Sequence, residues 1–385
     1  MSFALPFRSP FRLPASQNAR MVCLAVVLMA AAVLIWKVLH RPRPWPIDQV
    51  PIAFWAWRTR APEEKDVRQA VMRNQARALF LHAGQIDYQD GALTNIPAVV
   101  GPLPDKIDLH LVYNATRDLR ANLECIDEND LADQIRDAFQ RDYQRGSAEH
   151  AHIVGIQLDI DVPTRLLGRY ERVLKALRMG LPPGLKLSIT GLPTWMRSSQ
   201  LRSTLTQVDF WTPQFYGATL PGRVDQLIPI SNPDDVERFI NSARALGKPF
   251  YAGLAAYSWV LHYDQAGRLI KVRGNMDPEV IRLDPNLELI DRRQFDSTSE
   301  WRYAYRARAD GVTEGLAMRA GEVLVLDVPT AESLRQSART VRQWAGESLL
   351  GICVFRLPAT DDPATLTSAE VAAALADQDS LGGTK

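Results

Sequence analysis

The strongest constraint on this chain is an alternation that begins past residue 50, in which short apolar runs are each followed by a polar segment of helical period. The runs are PIAFWAW (51–57), ALFLHAG (78–84), IDLHLVYN (107–114), IVGIQLDID (153–161), LKLSITG (185–191), VDFWTPQFYG (208–217), KPFYAGLAAYSW (248–259) and GICVFRLP (351–358). Helical stretches such as 63–76, 130–144 and RLLGRYERVLKAL lie between them. Strands separated by helices pair in parallel, so eight units in this length predict an α/β fold, a closed (β/α)8 barrel over 51–376. An open doubly wound sheet usually carries a glycine-rich phosphate loop after an early strand, and no such motif is present.

One segment breaks the rhythm. Residues 260–327 hold RLIKVRG, VIRLD and GEVLVLD without a long helix, which predicts a strand-rich, antiparallel insertion after the seventh strand, at the catalytic rim. A protein partner at the cell envelope is one expected occupant of that insertion.

The N-terminus is organised differently. MVCLAVVLMAAAVLIW (21–36) has no charge, and Lys37 can snorkel, so residues 21–39 read as one transmembrane signal anchor. That leaves a cytoplasmic tail at 1–20, a Pro-rich extended linker at 40–50 and a flexible tail at 377–385. The expected placement is a single pass through a bacterial inner membrane with the soluble domain in the periplasm, although arginines and lysines nearly balance across the span.

Composition narrows the partners. With 45 basic against 44 acidic residues, net charge +1, the chain carries no field suited to nucleic acid. Cys23, Cys125 and Cys353 suggest no disulfide framework, and His150 and His152 lack the further ligands of a metal site. No cofactor or metal is expected.

The tetrapeptide DVPT occurs twice, at 161–164 and 327–330, each at a strand-to-helix junction where Thr164 or Thr330 is placed to cap the next helix. Only the first copy has a second acid upstream, Asp159, where the other has Val325. Strand alternation puts Val154, Ile156, Leu158 and Ile160 on one face and Gly155, Gln157, Asp159 and Asp161 on the other. In a barrel the apolar face meets the helices, so the polar face points inward with both acids at the carboxyl end. Their α-carbons, about 6.5 to 7 Å apart, bring two carboxylates too close to ionise together cheaply. One acid then holds a proton near neutrality, which glycosidic cleavage requires. The alternative is that the acids merely pair with an arginine such as Arg356.

Alternation also sends Tyr216 and Gln214 to the mouth, and Trp55, Trp57, Trp195, Tyr257 and Phe355 stand at or near strand ends. Such aromatics suit sugar stacking, or core packing.

VGIQLDID resembles the strand-four signature of glycoside hydrolase family 18, the chitinase-like barrels, D-G-x-D-x-D-x-E with the final Glu as the acid. It falls on that pattern as Val154, Gly155, Gln157, Asp159 and Asp161. VDFWTPQFYG, GLAAYS (253–258) and GICVFRLP resemble three further family segments in the same order, and the likeness spans 51–360. The departures are Asp161 for the Glu, Val154 and Gln157 for two acids, Gln214 for a Met, and Phe355 for the floor Trp. The first retracts the carboxyl by roughly 1.5 Å.

The likeness points to an uncharacterised bacterial branch of such barrels. It implies that Asp161 is general acid then base, with Asp159 orienting and stabilising charge, Tyr216 and Gln214 holding substrate and Phe355 as floor. Gln157, Trp55, Trp57, Trp195, Tyr257 and Arg356 are the further expected substrate contacts. The implied activity is cleavage of a polysaccharide or an N-acetylhexosamine-containing oligosaccharide with retention. The rival implication is an impaired barrel acting as a glycan-binding or scaffold module.

Overall fold

The computed structural model describes residues 22–32, 42–46, 49–57, 61–98, 101–274 and 276–376. It divides into two compact units, 1–43 and 44–385. In the first, residues 22–32 form a helix, α1, with its side chains exposed. Among the described residues no helix is long and apolar enough to cross a membrane. The rest of the expected span 21–39, the tail 1–20 and the tail 377–385 lie outside the described residues.

The second unit begins within the expected spacer. Residues 42–46 have no regular structure, yet Trp45 donates its backbone N–H to Arg342 O at 3.0 Å and its indole Nε1 to Gly346 O at 2.7 Å. At Trp45 the linker is therefore docked rather than free.

Eight parallel strands close the barrel: β1 (Ile52–Ala56), β2 (Ala76–Gln89), then, after a hairpin strand β3 (Ala92–Pro97), β4 (Asp108–Ala115), β5 (Ile153–Asp159), β6 (Lys186–Gly191), β7 (Phe210–Pro213) and β8 (Phe250–Ala255), and last a strand at Leu349–Phe355. β1 pairs in parallel with both β2 and that last strand, which completes the ring. Helices α2 (Glu64–Asn74), α3 (Arg117–Asn122), α4 (Glu128–Ala148), α5 (Leu167–Gly180), α6 (Gln200–Thr204) and α7 (Pro233–Leu246) occupy the crossovers. The β3 strand is an addition to the sequence expectation, paired antiparallel to the far end of the long β2.

The insertion starts at β9 (Trp259–Tyr263), continues through β10 (Leu269–Arg273), α8 (Pro278–Leu283), β11 (Leu287–Gln294), β12 (Trp301–Ala307), β13 (Gly311–Thr313) and β14 (Leu316–Met318), and ends at β15 (Val323–Val328). Five of its strands form an antiparallel sheet in the order β10-β9-β15-β12-β11. VIRLD, expected as a strand, is helical: Asp277 accepts from Glu279 N at 2.8 Å and Pro278 occupies the first turn, a start signal that overrides the β-branched pair. Helix α9 (Ala331–Trp344), strand β16 (Leu349–Phe355) and helix α10 (Ser368–Leu375) close the chain.

The two DVPT threonines differ. Thr330 caps α9 through a reciprocal box with Ser333, whereas Thr164 lies inside a short 3-10 turn, Thr164–Leu166, and caps nothing.

Inside the ring, Ile156, Leu158 and Ile160 join the core shared with the helices, and Gly155, Gln157 and Asp159 face the lumen. Gly155 is required by close approach, since a Cβ there would stand 2.4 Å from Lys186 O and 2.9 Å from His110 Nδ1. Below the mouth an apolar cluster, Ala53, Trp55, Ala78, Phe80, Val112, Phe210 and Cys353, fills much of the lumen beside buried polar groups such as Gln157 and His110.

Candidate active site

The site rises from β5. Gln157 is wholly buried; its Oε1 accepts from Trp55 Nε1 at 2.7 Å and its Nε2 donates to Thr212 Oγ1 at 3.0 Å and Ser188 Oγ at 3.3 Å. A polar group so satisfied is a strut across the lumen. Gln157 and Trp55 therefore form the plug beneath the site rather than its substrate-facing wall.

One step up, Asp159 accepts a hydrogen bond from Thr190 Oγ1 at 2.6 Å. Burial, then the charge of Asp161, pushes its pKa up to about 7, against the opposing pull of Thr190 and Arg120. The strand ends there, and Asp161 stands past it, with 43% of its side chain exposed and Arg120 Nη1 at 3.3 Å. Partial burial also raises the Asp161 carboxyl, opposed by the Arg120 guanidinium. Both shifts favour a proton shared within the pair, with burial acting on both acids and the Asp161 charge adding to it at Asp159.

The loop beyond the pair turns sharply, with Val162 N on Ile160 O at 2.7 Å, and Trp195 Nε1 donates to Val162 O at 2.8 Å from behind. Trp195 is wholly buried and packs edge-on against Tyr170, so it supports the acid loop and is not an exposed platform.

The cleft over the acids has a volume of about 360 Å³, lined by Trp57, Asn114, Arg117, Arg120, Asp159 and Asp161 among others. Beside it an aromatic cluster is centred on Phe355, which stacks with Tyr216 at 6.1 Å and meets Tyr257 at 5.0 Å, Trp55 at 5.6 Å and Trp57 at 6.2 Å. Burial first, then its neighbours, holds the Tyr216 phenol far above its usual pKa, so it stays protonated. Gln214 is half-buried, its backbone N–H on Gly191 O at 2.9 Å.

Arg356 is engaged elsewhere. Its guanidinium forks onto Asp362 at 2.7 and 2.9 Å and donates to Gly274 O at 2.9 Å. It does not pair with the acids, and each of its three nitrogens already donates a hydrogen bond. The basic partner that the acids do have is Arg120; like Arg117 and Asn114, which line the same cleft, it was not singled out from the sequence. They come from β4 and α3, whose start is fixed by Thr116: its hydroxyl accepts from Leu119 N at 3.2 Å and donates to Asp87 at 2.5 Å. The signal was the polar string NATRD directly after IDLHLVY, at a strand's carboxyl end.

Among the described residues no group of three or more His, Cys, Asp or Glu is gathered as a metal site. His152 instead pairs with Asp108 at 2.7 Å at the opposite end of the barrel.

Comparison with solved structures places the fold. A chitinase from Chromobacterium violaceum is 15% identical with a TM-score of 0.52, the match covering 86% of this chain and 100% of that one. The spore cortex-lytic enzyme SleL of Bacillus cereus is also 15% identical with a TM-score of 0.52, covering 85% of this chain and 74% of its own. A class V enzyme of Pseudomonas fluorescens, titled a chitininase, is 14% identical at 0.52, covering 84% and 98%. At such identity the likeness establishes the (β/α)8 barrel fold and no more. No curated protein matches the chain by sequence. A family model does, over residues 115–360, from the end of β4 through the acid pair to β16, and the chain belongs to that family, the domain of unknown function DUF3142.

Proposed function

We propose that this chain is a membrane-anchored glycosidase whose cleft cleaves a glycan by carboxylate acid–base catalysis. The observation that carries the reading is the acid pair at the barrel mouth: half-buried Asp159, held by Thr190 at 2.6 Å and with its pKa pushed up to about 7 by burial and the Asp161 charge, lies two residues from the more exposed Asp161. A sugar settling over Asp161 strips water from it and favours its protonated form, so the shared proton moves outward. Asp161 then gives that proton to the leaving oxygen and afterwards accepts one from the attacking water. On an N-acetylated sugar, the substrate's own acetamide serves as nucleophile. Phe355, Tyr216 and Trp57 supply apolar faces for the ring, and the protonated Tyr216 hydroxyl is a donor beside it.

Incubating the full-length chain with N-acetylhexosamine oligomers and with bacterial envelope glycans tests the reading. New reducing ends on at least one are expected; none on any contradicts it. One observation favours a second reading, glycan binding without turnover: Arg120 already sits on Asp161, whose side chain is one methylene shorter than a glutamate. Measured glycan affinity with no product selects that reading.

Anchoring through 21–39, with the barrel in the periplasm, is supported by the uncharged run 21–36. A C-terminal fusion to a reporter active only in the periplasm is expected to be active, and an inactive fusion beside an active cytoplasmic reporter contradicts that placement.

A further inference from the structure

The cleft holds more positive charge than a neutral sugar calls for. Arg117 and Arg120 lie three residues apart on α3, hence on one face of it, and both line the cleft with Asp159 and Asp161. Arg120 touches Asp161 through a single contact at 3.3 Å, longer than the 2.7 to 2.9 Å usual for a charged pair. Arg117 is exposed and has no carboxylate partner among the described residues. Beside them Asn114, only 8% exposed, presents an Oδ1 with no hydrogen-bond partner among the described residues. A buried acceptor left unpaired costs free energy unless something that enters the cleft satisfies it.

We infer that the cleft selects an acidic glycan, a carboxylate on the sugar at the cleft docking on Arg117 and Arg120 while Asn114 Oδ1 accepts from a hydroxyl of the same sugar. This rests on the glycan reading above and names its substrate class. A planar guanidinium matches a carboxylate in a two-point fork, which a neutral hydroxymethyl group cannot reproduce. Docking also draws Arg120 away from Asp161, which frees the rim acid only when the acidic sugar is in place. The weak Arg120–Asp161 contact is then the resting state of a device that couples recognition to the acid.

The test is calorimetric titration of the full-length chain with a tetrasaccharide of alternating N-acetylglucosamine and glucuronate, and with the same tetrasaccharide after reduction of its carboxyls to alcohols. The acidic form is expected to bind about tenfold more tightly or better, the order of a charge-assisted hydrogen bond. Arg117→Gln is expected to bring that ratio below about threefold, while Arg68→Gln, an exposed arginine on α2 paired with Glu64, leaves it unchanged and controls for net charge. Equal binding of the two sugars by the unmodified chain overturns the charge inference and leaves the glycan reading standing. An undiminished ratio in a folded Arg117→Gln variant overturns it too. If neither sugar binds, the acidic-glycan inference falls, while the glycan reading is judged by the hydrolysis test above.

Discussion

The two DVPT junctions share four residues and almost nothing else. Asp327, at the end of β15, is wholly buried; Arg302 grips both its oxygens at 2.7 Å, and Trp259 Nε1 donates to it at 2.8 Å. Arg302 in turn donates to Gln226 O at 2.7 Å, so this ion pair ties the insertion to the loop before α7. Asp161, at the end of β5, is open to the cleft and has one contact with Arg120. Identical local sequence forms a buried clamp in one place and an open carboxylate beside a cleft in the other. The difference lies in what the fold brings alongside: a buried, fully bonded guanidinium for Asp327, and an exposed one plus a second acid for Asp161.

The comparison yields a graded set of expectations. Asp327→Asn leaves the Arg302 charge buried against a neutral partner and is expected to cost about 3–5 kcal/mol in chemical denaturation. A loss below about 1 kcal/mol would show the clamp to be ornamental.

Next in size is a pH effect. An acid whose folded pKa is raised binds its proton more tightly folded than unfolded, so its contribution is present at low pH and lost as pH climbs toward the folded value. For Asp159 the loss falls between its ordinary value of 3.8 and about 7, and for Glu300, pushed up to about 8 mainly by burial, between 4.5 and 8. The unfolding free energy of the unmodified chain relative to Asp159→Asn should therefore fall from pH 4 to pH 7. A flat difference would place the proton elsewhere.

Capping separates the junctions further. Thr330→Ala removes a cap and is expected to cost about 1 kcal/mol. Thr164→Ala removes none and should stay within about 0.5 kcal/mol. Asp161→Asn, at a solvent-exposed pair, is expected to change stability by at most about 1 kcal/mol.

The sequence made the ring and the inward stripe on β5 legible because both follow from period: helical spacing between apolar runs, and a side-chain period of two within one. The same reading led to the expectation of a strand-rich segment at 260–327, and an antiparallel subsidiary sheet is found there. What it did not yield depends on contacts distant along the chain. Arg120 lies 41 residues before Asp161, and Trp195 lies 33 residues beyond the Val162 carbonyl it holds. Arg356 is different, since Asp362 is only six residues on, but that link runs through an irregular loop with no periodic signal. The aromatics were expected at or near strand ends, but depth, which separates Trp57 in the cleft from Trp55 beneath it, is set by strand register around the whole barrel.

The most direct measurement is turnover of whichever glycan the chain cleaves, compared among the unmodified protein, Asp159→Asn and Asp161→Asn, each verified as folded. Loss of a positioned acid should lower turnover by about 10²–10⁴-fold in both variants. Full activity in folded Asp161→Asn would contradict the account.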